Sequence, residues 1–596
     1  MAQFYANERS VLILIALLKA HNINKIIASP GTTNLSFVAS VQCDSFFEVF
    51  SCVDERSAAY MACGMAAETN EPVVITCTGA TASRNYPSGL TEAFYRKLPI
   101  LAITGTQDEY KIGHLHSQVI DRNVIPNDVV RYSVHLHATI NEEDAFYNEV
   151  KINQAINELH RHGGGPVHIN LHTLYTRDFS IKTLPQVKTI YTIGYKDVDK
   201  FPELPNGRIG IFVGSHATFS SELTKVVDDF CKACDAVVFC DNTSGYYGKY
   251  RFNYSLLGSQ QNTEYTQINM LDTCIHIGEV SAEYASLGNI VRNNVWRVSE
   301  DGEIRDQFRK LTYVFEMSEI DFFKYYTPQN FKPRQDYLDL CLQLDEKLRN
   351  KLPEIPFSSV WIASKLHDKI PAGSSIHYGV LNSIRSWNLF PLSKDITSFA
   401  NVGGFGIDGG VSSLIGASII KPDQLFFGIF GDLAFFYDMN SIGNRHVGNN
   451  VRIMVVNNGR GQEFRNHYHT GHLFGNDADK YIAAAGHFGN QSHTLLKDYA
   501  QNLGFRYISA SSKEEFENSY ADFVNPEVVS QPIVFECFTN TDDETHATES
   551  YWNIDKDMKN VAINKVINAF GGKQALRNII GPQGIKFFRR LLNKNK

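Results

Sequence analysis

At 596 residues the chain is too long for one hydrophobic core and should divide into about three domains. With 43% apolar and 20% charged residues it lies in the ordinary globular range, and a formal charge of −8 excludes a general nucleic-acid surface, which needs a concentrated positive field. The ten cysteines are scattered, with Cys63, Cys77 and Cys274 inside apolar runs, as expected of reduced core residues in a cytoplasmic protein rather than of a disulfide framework.

The first third alternates helical and strand-like segments. The spacing predicts a helix over 9–21, whose apolar run 11–18 is too short for a membrane span and lacks a cleavage site after it. Short apolar strands are expected over 25–28, 72–76 and 98–104, with the chain broken at Ser29-Pro30-Gly31. Continuous apolar strands separated by helices indicate parallel sheets covered on both faces. A second unit follows the charged stretch 197–208, with strands over 209–213, 236–240 and 273–277. The polar stretch 327–336 leads to a third unit, where 423–430 and 451–457 read as buried strands and 531–538 closes the sheet. The expected fold class is therefore α/β: three doubly wound parallel-sheet domains over 1–185, 190–345 and 350–545, then a basic C-terminal extension over 546–596. Between 573 and 596 the extension carries seven basic residues and no acidic ones, interleaved with Ile585, Phe587, Phe588, Leu591 and Leu592. It reads as a helix packed on its own oligomer or a solvated tail, with a weak membrane-surface contact as the other reading.

Two places carry chemistry. Glu55 stands where a strand hands over to a helix of small residues. Gly431-Asp432-Leu433 follows a strongly apolar strand, and Asn458 ends another, in Val455-Val456-Asn457-Asn458-Gly459. Parallel sheets place ligands at the carboxyl ends of their strands. Two oxygen ligands from such ends suit Mg²⁺, and the glycines at 459 and 461 would let the backbone present the Arg460 carbonyl as a third. Gly404-Phe405-Gly406-Ile407-Asp408-Gly409 is formally a GxGxxG, which keeps a dinucleotide-dependent oxidoreductase open as a competitor, although Phe405 crowds a pyrophosphate turn. Cys231-Lys232-Ala233-Cys234 is a lone CxxC and reads as core packing. His114 and His116, and the group His467, His469 and His472, read as loop histidines near a site rather than as a metal cluster.

Taken together, Glu55 after a strand and Gly431-Asp432…Asn457-Asn458 resemble the thiamine-diphosphate-dependent decarboxylase and carboligase superfamily. Further segments are closest to the succinyl-enolpyruvyl-hydroxycyclohexene-carboxylate synthases of menaquinone biosynthesis: Ser29-Pro30-Gly31, Asp54-Glu55-Arg56, Tyr86-Pro87, Gln118, Gly406-Ile407-Asp408-Gly409, Tyr437-Asp438-Met439-Asn440, Gly461-Gln462 and Phe464. The resemblance implies pyrimidine-binding, middle and diphosphate-binding domains in that order. It implies that Glu55 hydrogen-bonds N1′ of the aminopyrimidine and favours the imino tautomer that deprotonates the thiazolium. Ile407 would prop the bent cofactor, Asn382 and Ser383 would touch the diphosphate, and Asp432, Asn458 and the Arg460 backbone would hold Mg²⁺. Pro30, Gly31, Thr32, Gly406, Gly431, Leu433, Gly461, Gln462 and Phe464 complete the cofactor-binding set. Gln118, His114 and His116 stand with Glu55 as catalytic candidates, and Arg84 and Arg385 as clamps for a substrate carboxylate.

Departures accompany the likeness. Where those synthases carry substrate arginines, this chain has Thr32-Thr33-Asn34, Gln107 and Val402, and no basic pair stands around Gly278-Glu279-Val280-Ser281. Arginine–carboxylate pairs are strong and geometrically demanding, so their loss implies a changed substrate. The expected activity is decarboxylation of a 2-oxo acid, with the enamine passed to an acceptor. A simple decarboxylase or C–C hydrolase, and a non-catalytic scaffold, are the alternatives. Because the key residues come from different domains, the resemblance implies a cofactor held between subunits of a homodimer or dimer of dimers. No residue indicates a flavin.

Overall fold

The computed structural model describes residues 4–122, 124–260, 265, 268, 270–282, 291–487 and 491–554. The basic tail at 573–596 lies outside the described residues. The chain forms two compact units, Met1–Glu203 with Asn294–Ser318, and Leu204–Asn293 with Glu319–Lys596. Among the described residues no helix is long and apolar enough to cross a membrane.

The first unit is built on a six-stranded sheet of β1 (Lys25–Ala28), β2 (Glu48–Ser51), β3 (Val73–Cys77), β4 (Ile100–Thr106), β5 (Tyr132–Leu136) and β6 (Val167–His172). All pairings are parallel and the order is β2-β1-β3-β4-β6-β5. The central strands β3 and β4 are buried along their whole length, as continuous apolar strands under two helical layers must be. The expected first helix runs Arg9–Ala20 and buries nine consecutive residues, Ser10 to Leu18, in this core. The helix Glu55–Thr69 buries only small side chains (Ala58, Ala59, Ala62, Cys63 and Ala66), which lets it lie close to its neighbour Thr81–Arg96.

A seven-stranded middle sheet is divided between the units. Strands β7 (Tyr191–Gly194), β12 (Val291–Val298) and β13 (Leu311–Glu316) go mainly with the first, in the order β12-β13-β7. Strands β8 (Ile209–Val213), β9 (Val237–Cys240), β10 (Arg251–Asn253) and β11 (Leu271–Ile277) go with the second, in the order β10-β9-β8-β11.

The second unit also holds a six-stranded parallel sheet of β14 (Ser375–Tyr378), β15 (Thr397–Ala400), β16 (Phe426–Gly431), β17 (Val451–Asn457), β18 (Arg506–Ala510) and β19 (Ile533–Phe538), ordered β15-β14-β16-β17-β19-β18. This is the strand order of the first sheet repeated. The last strand in sequence does not close the sheet as expected. Strand β19 pairs with both β17 and β18, so the edge belongs to β18. The architecture is thus α/β with three parallel sheets.

Candidate active site

In each six-stranded sheet the order reverses between two neighbours, β1 and β3 in the first and β14 and β16 in the last. Ligands of open α/β sheets bind at this point, beyond the carboxyl ends of the strands. The residues singled out from the sequence gather at both places.

In the first unit, Ser29-Pro30-Gly31-Thr32 leaves β1 and Thr78-Gly79 leaves β3. The two loops are stitched together by Thr33, whose hydroxyl is 2.6 Å from the Thr78 hydroxyl and accepts the Gly79 N–H at 3.0 Å. A side chain at Gly31 would put its Cβ 2.4 Å from Thr78 Cβ, so only glycine allows this approach. A cavity of about 380 Å³ lies against Ser29, Pro30, Gly31, Asn34 and Phe50. Glu55 opens the helix Glu55–Thr69, which Asp54 caps by accepting the Ser57 N–H at 3.1 Å. Its carboxylate is half-buried and accepts from Asn85 Nδ2 at 3.4 Å. Arg84, one position before Asn85, donates to the Asp121 carbonyl at 2.9 Å, so it braces the loop that carries Gln118. Gln118 has a left-handed backbone, φ 61°, and its carbonyl lies over Gly79. His114 and His116 stand exposed on the same loop.

Arg122 is a feature the sequence did not announce. It is 6% exposed, donates to the Gly105 carbonyl at 2.9 Å, and leaves Nε and Nη1 buried without a partner. Burial holds its guanidinium down at about 10.

In the second unit, Asp432 follows β16 and is 4% exposed. Burial pushes its carboxyl up to about 7, against the pull of the backbone N–H groups of Leu433 and Gly459 and with the nearby Glu536 adding to the rise. The Gly459 hydrogen bond brings the end of β17 onto Asp432. Gly459 turns with φ 75° and its N–H also reaches Asn457 Oδ1 at 3.1 Å. Asn458 Oδ1 is buried with no hydrogen-bond partner. A buried carboxylate beside an orphaned amide oxygen is a donor set that suits a hard divalent cation. Among the described residues no three His, Cys, Asp or Glu side chains converge on a metal position. The histidines of the loop after β17 are otherwise engaged: His467 and His472 rings lie 4.0 Å apart, and His469 accepts the Gly471 N–H at 2.9 Å.

The other predicted residues surround this turn. Asn382 and Ser383 begin the short helix after β14, and Asn382 Oδ1 accepts from Asn466 Nδ2 at 3.1 Å. Arg385 is held by Glu463 and by the Tyr468 hydroxyl at 3.1 Å. Arg460 and Arg465 both pair with Asp479, at 2.6 and 2.5 Å. Gly461 N–H bonds the Ala483 carbonyl at 2.6 Å, and Phe464 N–H bonds the Gly461 carbonyl at 3.1 Å. Gln462 is buried with its amide on Thr545 Oγ1 at 3.0 Å, which ties it to the helix Thr541–Trp552. Leu433 lies one residue into the helix that Asp432 opens. A cavity of about 690 Å³ runs from Asn458, Gly459 and Arg460 to Thr539 and Asp542. Gly406 and half-buried Ile407 lie in the loop between β15 and the helix Gly410–Ile420. The strand order also weakens the dinucleotide reading. An acid for the ribose should stand on the strand next to the glycine turn, but β14 separates β15 from the Asp432 strand. A larger cavity of about 760 Å³, at the amino-terminal ends of β1 and β3, touches none of these residues.

Residues 11–125 match the family described as thiamine pyrophosphate enzyme, N-terminal TPP binding domain. Over 592 aligned residues the chain is 27% identical to the 2-succinyl-5-enolpyruvyl-6-hydroxy-3-cyclohexene-1-carboxylate synthase of Bacteroides fragilis, covering 92% of this chain and 99% of that one. The synthase of the same name from Phocaeicola vulgatus is 29% identical with the same coverage, and that of Flavobacterium johnsoniae is 28% identical over 76% of this chain and 83% of its own. The chain carries a thiamine pyrophosphate enzyme N-terminal domain, is homologous to these synthases over most of its length, and is a thiamine-diphosphate-dependent enzyme.

Proposed function

We propose that the enzyme decarboxylates a 2-oxo acid and passes the remaining fragment to an acceptor, and that Asp432, Asn458 and the Arg460 carbonyl would hold Mg²⁺. The observation that carries this reading is the buried Asp432 carboxylate and the orphaned Asn458 amide oxygen at the carboxyl ends of the neighbouring strands β16 and β17. Thiamine diphosphate supplies the electron sink that accepts the negative charge left when CO₂ departs, chemistry no side chain provides. Glu55 holds a proton at the aminopyrimidine N1′, while Asn382 and Ser383 orient the diphosphate. Gln118 and Arg84 would contact the reacting end of a bound substrate. Transfer rather than simple release is favoured by homology to enzymes named as synthases.

The acceptor and donor differ from those of the named relatives in this reading, because Thr32-Thr33-Asn34, Gln107 and Val402 stand where substrate arginines are expected. The minimum active unit is a dimer, with Glu55 and Asp432 of one site drawn from different subunits. Ten free thiols suit a reducing, cytoplasmic compartment. The test is CO₂ release from a panel of 2-oxo acids with thiamine diphosphate and Mg²⁺, with and without carbonyl or alkene acceptors. A coupled product that forms only with both partners is the expected result. Release that ignores every acceptor would reduce the activity to a simple decarboxylase, and no release from any acid would overturn the proposal.

A further inference from the structure

Behind the Asp432–Asn458 turn lies a second buried acid. Glu536 sits in the middle of β19, paired in register with Val455 on β17 and Ser509 on β18, and is 1% exposed. Its two oxygens are each used once. Oε1 accepts from Asn457 Nδ2 at 2.7 Å, and Oε2 accepts from the Tyr507 hydroxyl at 2.7 Å. Neither hydrogen-bond partner is a cation, and although the His493 ring offsets part of the charge, burial still pushes the Glu536 carboxyl up. From Asn457 the chain continues. Its Oδ1 takes the Gly459 N–H, and that N–H is shared with Asp432. A run of hydrogen bonds thus links Tyr507, Glu536, Asn457 and Gly459 to the Asp432 carboxylate.

Two buried carboxylates near one another disfavour each other's charge, and a site that keeps both is built for something positive. A glutamine could accept from Asn457 equally well, so hydrogen bonding alone does not require an acid here. We infer that Glu536 is a positioning residue for the cation at Asp432 and Asn458: it supplies a second buried negative charge that the cation neutralises without contact, and it fixes the Asn457 amide that shapes the Gly459 turn. The inference rests on the metal reading of Asp432 and Asn458. It extends the site to the interior of β19 and gives the edge residue Tyr507 a part in it.

The experiment measures Mn²⁺ binding by electron paramagnetic resonance on the full chain with thiamine diphosphate, without substrate. Glu536→Gln keeps the size and the acceptor that faces Asn457 and removes the charge, with the Tyr507 hydroxyl turning from donor to acceptor. It should weaken Mn²⁺ binding roughly 10–100-fold while the melting temperature of the metal-free protein holds. If Glu536→Gln binds Mn²⁺ as tightly as the parent while Asp432→Asn abolishes binding, this inference fails and the metal reading stands. If the parent does not bind Mn²⁺, or Asp432→Asn leaves binding intact, both fail together. Should Glu536→Gln not fold, Tyr507→Phe removes one donor to the carboxylate from the sheet edge. A several-fold loss of Mn²⁺ affinity is then expected, and unchanged affinity overturns the inference.

Discussion

One guanidinium nitrogen of Arg385 bridges both carboxylate oxygens of Glu463, at 2.7 and 2.8 Å. One of the two arginines expected from the sequence to clamp a substrate carboxylate already has one, from the loop that follows β17. Their side chains are 29% and 12% exposed, so Arg385→Ala leaves a mostly buried Glu463 carboxylate to neutral donors such as the Tyr468 hydroxyl at 2.7 Å. Arg385→Ala should cost about 1–3 kcal/mol of stability in chemical denaturation. Glu463→Gln should release the guanidinium and lower KM for an anionic donor. An unchanged KM in Glu463→Gln would show that Arg385 serves the loop and not the substrate.

Glu55→Gln should keep cofactor binding, because the diphosphate anchor lies in the other unit, and slow proton exchange at the thiazolium C2 by about 10²–10⁴-fold. Hydrogen–deuterium exchange followed by NMR reads this directly. Exchange at the parent rate would remove Glu55 from the proton path.

The Asp432 carboxyl, held at about 7 by burial, sets a pH dependence in the metal-free protein. A carboxyl raised above its unfolded value, near 4, stabilises the fold fully below that value and loses this contribution as pH rises through the folded one. Melting temperature in a chelator should therefore fall between about pH 4 and pH 8. Mg²⁺ with thiamine diphosphate should remove the fall, since the bound cation favours the charged form. A profile flat in chelator, or one untouched by the cation, would contradict the assignment.

Glu55→Gln and Asp432→Ala should each be inactive alone. Mixed, dissociated and reassembled, they should regain roughly a quarter of parental activity, because half the dimers are mixed and one of their two sites is intact. No regain after verified exchange would argue against a site shared between subunits.

The strands that hold the chemistry were legible because they are central. Phe426–Gly431 and Val451–Asn457 are buried end to end, and a buried parallel strand reads as an unbroken apolar run. Strand β2 was expected before Glu55 only without bounds, and β18 was not expected at all, because neither is an unbroken apolar run. Glu48-Val49-Phe50-Ser51 is exposed throughout, and Arg506–Ala510 buries only Ala510. Edge strands cover one face at most and mix polar with apolar residues, which hid the true edge beyond 531–538. Glu536 went unremarked in the sequence, although a lone acid in Ile533–Phe538 is a signal in itself, since a charge inside an apolar strand needs a partner or a purpose. The Arg385–Glu463 bridge was not legible, because nothing in local spacing tells an arginine on one loop that an acid 78 positions later will reach it.

The repeated strand order of the two outer sheets bears on how the enzyme responds to dilution. The chain owns two crevices of one plan with complementary contents, Glu55 near the first and the Asp432–Asn458 turn at the second. If each is completed only by the other subunit's counterpart, separation of a pair extinguishes both sites at once rather than halving output. When the subunit concentration falls well below the dissociation constant, the rate then falls with its square, and abundance itself becomes a control on flux.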